Sequence, residues 1–141
     1  MSLSGINISP EIISKFEADR MTENGARMVI KLKEDRMVID NDGLPMAEMV
    51  TKLPDAEPRY VIYDVPIQNR ANLTDLKTIF ILWMPMTSPV RMRMLYSSTK
   101  AQITNNIRGI TTTMQVEEKT EVTPENIEKK VQKTQGINNT Y

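Results

Sequence analysis

Ser88-Pro-Val-Arg-Met-Arg-Met-Leu-Tyr-Ser-Ser-Thr-Lys-Ala-Gln-Ile-Thr-Asn-Asn-Ile-Arg-Gly109 is the stretch on which the reading of this chain turns. It has the marks of the longest helix. A Ser88 hydroxyl can accept from an unpaired amide of the first turn. Pro89 suits the first helical position, where a missing N–H costs nothing. Gly109 suits a C-terminal stop with positive φ. Between these ends stand four cations, Arg91, Arg93, Lys100 and Arg108, and no acid. In a chain of zero net charge, such a helix points to a negatively charged partner. Its apolar residues form two stripes at a spacing of about 3.6 residues: Val90, Met94 and Ala101 on one, Met92, Tyr96, Ile103 and Ile107 on the other. Two stripes require either wide burial or a bend. Ser97-Ser98-Thr99 is the cheapest place for a bend, because hydroxyls compete for backbone carbonyls.

Working outward, Arg59 to Val65 and Thr78 to Met84 are near-continuous apolar runs, rich in β-branched and aromatic residues. They read as strands buried on both faces, joined by a polar loop from Pro66 to Lys77 into a long hairpin. After the basic helix, Thr111 to Glu117 alternates as a fifth strand with Met114 and Val116 inward. Thr123-Pro124 starts a last helix, with Val122 and Ile127 placed for a hydrophobic staple. That helix carries Lys129, Lys130 and Lys133 around a narrow apolar side, so it should lie on the surface. Upstream, Ser9-Pro10 starts a first helix to about Arg20 that buries Ile12, Ile13 and Phe16, and Asn24-Gly25 ends it. Arg27 to Lys33 and Arg36 to Asp40 form a first hairpin. Asp40-Asn-Asp-Gly43 resembles part of a calcium loop, but its glycine comes too early and no closing glutamate follows, so it reads as a turn. Pro45 opens a short helix with Met46, Met49, Val50 and Leu53 in step. The economical packing is α+β: a five-stranded, mostly antiparallel mixed sheet with helices on both faces. One domain spans residues 1–135, with an N-terminal arm at 1–8 and a flexible tail at 136–141.

Composition narrows the chemistry. With 141 residues and 40% hydrophobic content, one domain with a real core is the expectation. Eighteen basic side chains balance eighteen acidic ones, which argues against nucleic-acid binding. No cysteine and no histidine remove disulfides, thiolate nucleophiles and the usual general base. The five glycines are scattered, with no phosphate-binding loop. Glu117 and Glu118 are adjacent on a strand, so they point to opposite faces and cannot act together as acid and base. These residues favour a binding protein over an enzyme, with no cofactor and no metal. No apolar run marks a signal peptide or a membrane span, so the cytoplasm is the expected location.

Several blocks together resemble the actin-depolymerising factor/cofilin family: Met1-Ser-Leu-Ser-Gly5-Ile, Lys52-Leu-Pro-Asp, Arg59-Tyr-Val-Ile-Tyr-Asp64, Phe80-Ile-Leu-Trp83-Met-Pro85 and Pro89-Val-Arg-Met-Arg-Met-Leu-Tyr-Ser-Ser98. The resemblance covers nearly the whole chain and implies a single cofilin-like, ADF-homology domain. It implies a monomeric protein of the cytoplasm and cytoskeleton that binds monomeric and filamentous actin and promotes severing, depolymerisation and turnover. By the same resemblance, one actin-binding surface serves monomer and filament. It consists of Ser4, Gly5 and Ile6 in the arm and Arg91, Arg93, Met94, Ser98, Lys100 and Ile107 on the helix. A second, filament-only surface takes Lys77, Lys129, Lys130 and Lys133. Ser4 matches the serine that many relatives phosphorylate, and phosphoinositides are implied as competing ligands. The chain departs from the family pattern at Ala101, Thr104 and Asn105, which lightens the charge low on the helix, and at Asp75, where relatives can carry a base. Two variants of the reading follow: a mainly monomer-binding factor with weak severing, or a binder of the branch-nucleating complex like the glia maturation factors.

Overall fold

The structure is a computed structural model that describes residues 4–135. The expected tail, 136–141, and the first three residues of the arm lie outside them. The elements run α1 (Pro10–Asp19), β1 (Arg27–Lys33), β2 (Arg36–Asp42), α2 (Met46–Lys52), β3 (Arg59–Gln68), β4 (Thr74–Trp83), α3 (Val90–Thr99), α4 (Ala101–Asn106), β5 (Ile110–Val116) and α5 (Pro124–Gln135). A single 3-10 turn, Lys119–Glu121, precedes α5.

One sheet of order β2-β1-β3-β4-β5 organises the molecule. Three of its pairings are antiparallel, and β5 joins β4 in parallel. A parallel neighbour needs a crossover, and α3 with α4 is that crossover. Strand alternation divides the core in two. Tyr60, Ile62, Phe80 and Leu82 face α1, α3 and α4, where Phe16, Tyr96 and Ile103 meet them. Val61, Tyr63, Ile79, Ile81 and Trp83 face α2 and α5, where Met49, Ile127 and Val131 meet them. Helices therefore cover both faces, as the pattern of apolar runs implies. Among the described residues, no helix is long and apolar enough to cross a membrane.

Three local expectations are corrected. Ser88 does not cap the helix after it. Its side chain is buried, its Oγ donates to the Pro85 carbonyl at 2.7 Å, and Pro89 takes the cap position. Ser9 likewise makes no side-chain cap, whereas Thr123 accepts from the Asn126 amide at 3.1 Å. Pro66 to Lys77 is mostly not a loop: β3 and β4 pair as far as Gln68 with Thr74. The turn itself is held by Asn69, whose Oδ1 accepts from the amides of Ala71 and Leu73. Finally, Asp40 to Asp42 continues β2, across a register shift opposite Val29 and Ile30, before Gly43 turns the chain.

The Ser88–Gly109 stretch is two helices. The break falls at Lys100, just past Ser97-Ser98-Thr99. Gly109 has φ +90°, the left-handed conformation expected of it.

Candidate functional site

The two apolar stripes of α3 and α4 have different fates. Tyr96, Ile103 and Ile107 are buried with the first core cluster, and Met92 packs against it. Val90 and Met94 remain 69% and 67% exposed, and Met86, just before the helix, is 69% exposed. Exposed large apolar side chains gathered at one groove, as Val90 and Met94 are, are informative where scattered ones would not be. Arg91 and Arg93 flank this Val90–Met94 ridge, and among the described residues neither forms an ion pair, nor does Lys100.

The arm is stitched to this helix pair. The hydroxyls of Ser4 and Thr99 lie 2.5 Å apart. The Ile8 amide donates to Gln102 Oε1 at 3.1 Å. Ile6 and Ile8 are buried below these bonds. The result is a groove of about 650 Å³ lined by Ser4, Val90, Arg91, Met94, Leu95 and Ser98. Ser98 spends its hydroxyl on the Leu95 carbonyl at 3.0 Å.

The structure thus brings Ser4, Arg91, Met94 and Ser98 to one groove. Gly5 and Lys100 are exposed beside the same elements. Ile6 and Ile107 are different: both are core residues, at 4% and 3% exposure. They hold the arm and α4 in place and offer little surface to a partner. Reading the sequence alone missed Met86, which stands in a non-helical segment where helical periodicity carries no signal.

The second set of cations lies on the other face of the sheet. Ile127 and Val131 anchor α5 to the second core cluster, which leaves Lys129, Lys130 and Lys133 exposed. Lys77 is half-buried on β4 and shares strand parity with Ile79 and Ile81, so it points to the α5 side. Among the described residues none of the four forms an ion pair. Asp75 accepts from Asn69 Nδ2 at 3.0 Å, so its carboxylate serves the hairpin turn. The hairpin beyond the core also carries Leu73, in the turn, and Leu76, on β4, 63% and 42% exposed. Taking this segment for a polar loop hid them.

Among the described residues no group of three or more acidic side chains is placed to hold a metal ion. The most perturbed side chains are buried tyrosines. Burial pushes the phenols of Tyr60 and Tyr96 well up, and neither faces the groove. What the geometry provides is an apolar ridge between unpaired arginines, fixed by a docked arm.

A family model described as cofilin/tropomyosin-type actin-binding protein matches residues 5–132. Actin-depolymerizing factor 10 of Arabidopsis thaliana is 32% identical over 126 residues, spanning 86% of this chain and 90% of that protein. The cofilin of Schizosaccharomyces pombe is 30% identical over 138 residues, spanning 93% and 98%. Among solved structures, actin depolymerization factor 2 of Plasmodium berghei shares the fold, with a TM-score of 0.78 at 23% identity over 90% of this chain and 96% of that one.

Proposed function

Because this chain belongs to the cofilin/tropomyosin-type actin-binding protein family, we propose that it binds actin monomers and filaments, severs filaments and speeds their turnover in the cytoplasm. The observation that carries the reading is the exposed Val90–Met94 ridge between unpaired Arg91 and Arg93, with the arm locked beside it. Fully burying one such side chain contributes about 1.5–3 kcal/mol. An arginine supplies bidentate pairing to a partner's carboxylates. Ser4, Gly5, Lys100 and Ser98 frame this first surface, and Ile6 and Ile107 support it from the core.

The second surface, for filaments alone, comprises Lys77, Lys129, Lys130 and Lys133. Severing needs no catalytic residue. A protein that binds one filament twist more tightly shifts its population and weakens the contacts between subunits. The protein acts as a monomer, and phosphoinositide headgroups compete for the same cations.

Co-sedimentation with actin filaments tests this, with wild type beside Arg91→Ala/Arg93→Ala and Lys130→Ala/Lys133→Ala. Wild type should pellet with filaments or move actin to the supernatant, and the arginine pair should abolish both effects. The lysine pair should lose filament binding and keep monomer binding. Wild type that leaves actin untouched would end the actin reading, with the branch-nucleating complex as the next partner to try. Monomer binding without severing would favour the sequestering variant.

A further inference from the structure

A second cavity lies on the far side of the sheet from the groove. It measures about 210 Å³ and sits where the start of β1, the start of α2, the middle of β3 and the first turns of α5 converge. Arg27, Met46, Tyr63, Val65, Ile67 and Glu128 are among its lining residues. It is smaller than the roughly 300–1,000 Å³ of drug-sized sites, so any ligand is small.

The charges in this cavity set its chemistry. The Arg27 guanidinium lies over the Tyr63 ring, 5.3 Å from its centroid. Its Nε is buried and has no hydrogen-bond partner, although a buried donor of this kind ordinarily has one. Glu128 stands on the α5 wall, where its Oε1 accepts only from Gln132 Nε2 at 3.1 Å. The cation and the carboxylate line one small space and form no ion pair with each other. The rest of the lining is largely apolar, with Met46, Val65 and Ile67 among it. A simple anion would meet Glu128, and a simple cation would meet Arg27. A molecule with both charges and an apolar body satisfies each wall.

We propose that this cavity binds a free aliphatic α-amino acid, with its carboxylate on Arg27, its ammonium on Glu128 and its side chain against Met46, Val65 and Ile67. The tyrosine ring keeps the guanidinium in place by cation–π attraction. In this partly desolvated setting each charged hydrogen bond counts for more than in water. The site adjoins the proposed filament surface, since Val65 pairs with Lys77 and Glu128 precedes Lys129 on α5, but it lies across the sheet from the arm and α3 groove and needs no actin to function.

The test is a titration of the full chain with L-leucine, followed by backbone amide NMR shifts. Saturable shifts at Met46, Tyr63, Val65 and Glu128 are expected. Isocaproate, which lacks the ammonium, and isoamylamine, which lacks the carboxylate, should each bind at least about tenfold more weakly. Glu128→Lys reverses one wall on a half-buried helix position, so the variant should prefer isocaproate over leucine. Absence of saturable shifts with leucine overturns the proposal, as does equal binding of all three compounds. Shifts that Glu128→Lys leaves unchanged in order of preference also overturn it. None of these results depends on actin, so failure here leaves the actin reading standing.

Discussion

The phenol of Tyr60 donates to the backbone carbonyl of Tyr96 at 2.6 Å, from the start of β3 into the C-terminal half of α3. The same carbonyl accepts the Lys100 amide at 3.1 Å, one residue before α4 begins. Tyr96 in turn accepts the Leu32 amide through its own hydroxyl at 2.8 Å, and the two rings lie 5.0 Å apart. A side-chain donor inserted at a helical carbonyl is a recognised cause of a bend. Here the carbonyl keeps its helical partner, so the phenol adds a second bond that ties α3 to β3 one turn before the break at Lys100.

Tyr60→Phe keeps the ring and removes the donor. The carbonyl keeps its Lys100 partner, so the expected loss is about 1 kcal/mol, the net value of one hydrogen bond. Urea denaturation reads the loss, and faster amide exchange at Lys100 reads the loosened break. An unchanged exchange rate at Lys100 would show that the bend is set by something else.

Alkaline stability follows from the same residues. Burial raises the phenol pKa of Tyr60, Tyr63 and Tyr96 above the ordinary value of 10.0. In the unfolded chain these groups ionise near 10, while in the folded protein they stay protonated. Above about pH 10 the unfolded state therefore binds fewer protons, and stability falls as pH rises. The contribution is fully present below pH 10 and is lost as pH rises through the folded values. With no histidine in the chain, stability should be nearly flat between about pH 6 and 9. Thermal melts across pH 6 to 11 check both halves, and Tyr60→Phe should reduce the alkaline slope.

Gly25 presents a separate constraint. Its φ is +75°, and a Cβ there would lie 2.5 Å from Asp64 Oδ2. That carboxylate is buried; it accepts from the Ala26 amide at 2.7 Å and from the Thr78 hydroxyl. Gly25→Ala should cost about 2 kcal/mol or more, from left-handed strain together with displacement of a bonded carboxylate. A chemical denaturation midpoint equal to wild type would show that the turn yields without disturbing Asp64.

How much of this was legible in the sequence depends on the kind of signal. The strands at Arg59 and Thr78 were plain, because long β-branched runs have one economical burial. The sheet's two helical layers followed from the same logic. The cap at Ser88 failed for a local reason: its hydroxyl turns back to the Pro85 carbonyl three residues earlier, a short-range bond that competes with capping. Pro66 to Lys77 looked like a loop because its side chains are polar, yet the backbone keeps pairing beyond the core. At the candidate site, cation spacing pointed to Arg91 and Arg93. The sequence also presented two stripes on α3 and α4, but only packing against Tyr60 and Phe80 tells which is buried. Ile107 and Ile6 could not be sorted from contact residues without that information.

Met94→Asp tests the exposed ridge directly. The side chain is 67% exposed and lines the groove, so stability should move by no more than about 0.5 kcal/mol. Actin binding should fall at least tenfold, because a carboxylate replaces apolar contact with an acidic partner. A variant that melts like wild type and still co-sediments like it would remove the ridge from the interface.

Ser4 gives the most exacting test of the arm. Its hydroxyl pairs with that of Thr99, and both it and Arg91 line the groove. Phosphorylation would add roughly −1.5 to −2 charges there, breaking the pairing and placing negative charge where an acidic partner must approach. Ser4→Glu imitates the charge in part, and should reduce co-sedimentation at least tenfold without altering the melting curve. Thr99→Val removes the pairing without adding charge, together with the hydroxyl's contact to the Tyr60 phenol. Thr99 is fully buried, so its melting curve must be compared first, and its binding loss should be the smaller of the two. Equal losses would assign the arm's role to the hydroxyl pair and leave charge out of it. Wild-type binding by Ser4→Glu would exclude Ser4 as a switch, and intact-mass analysis of protein from its native cells would show whether the modification is ever made.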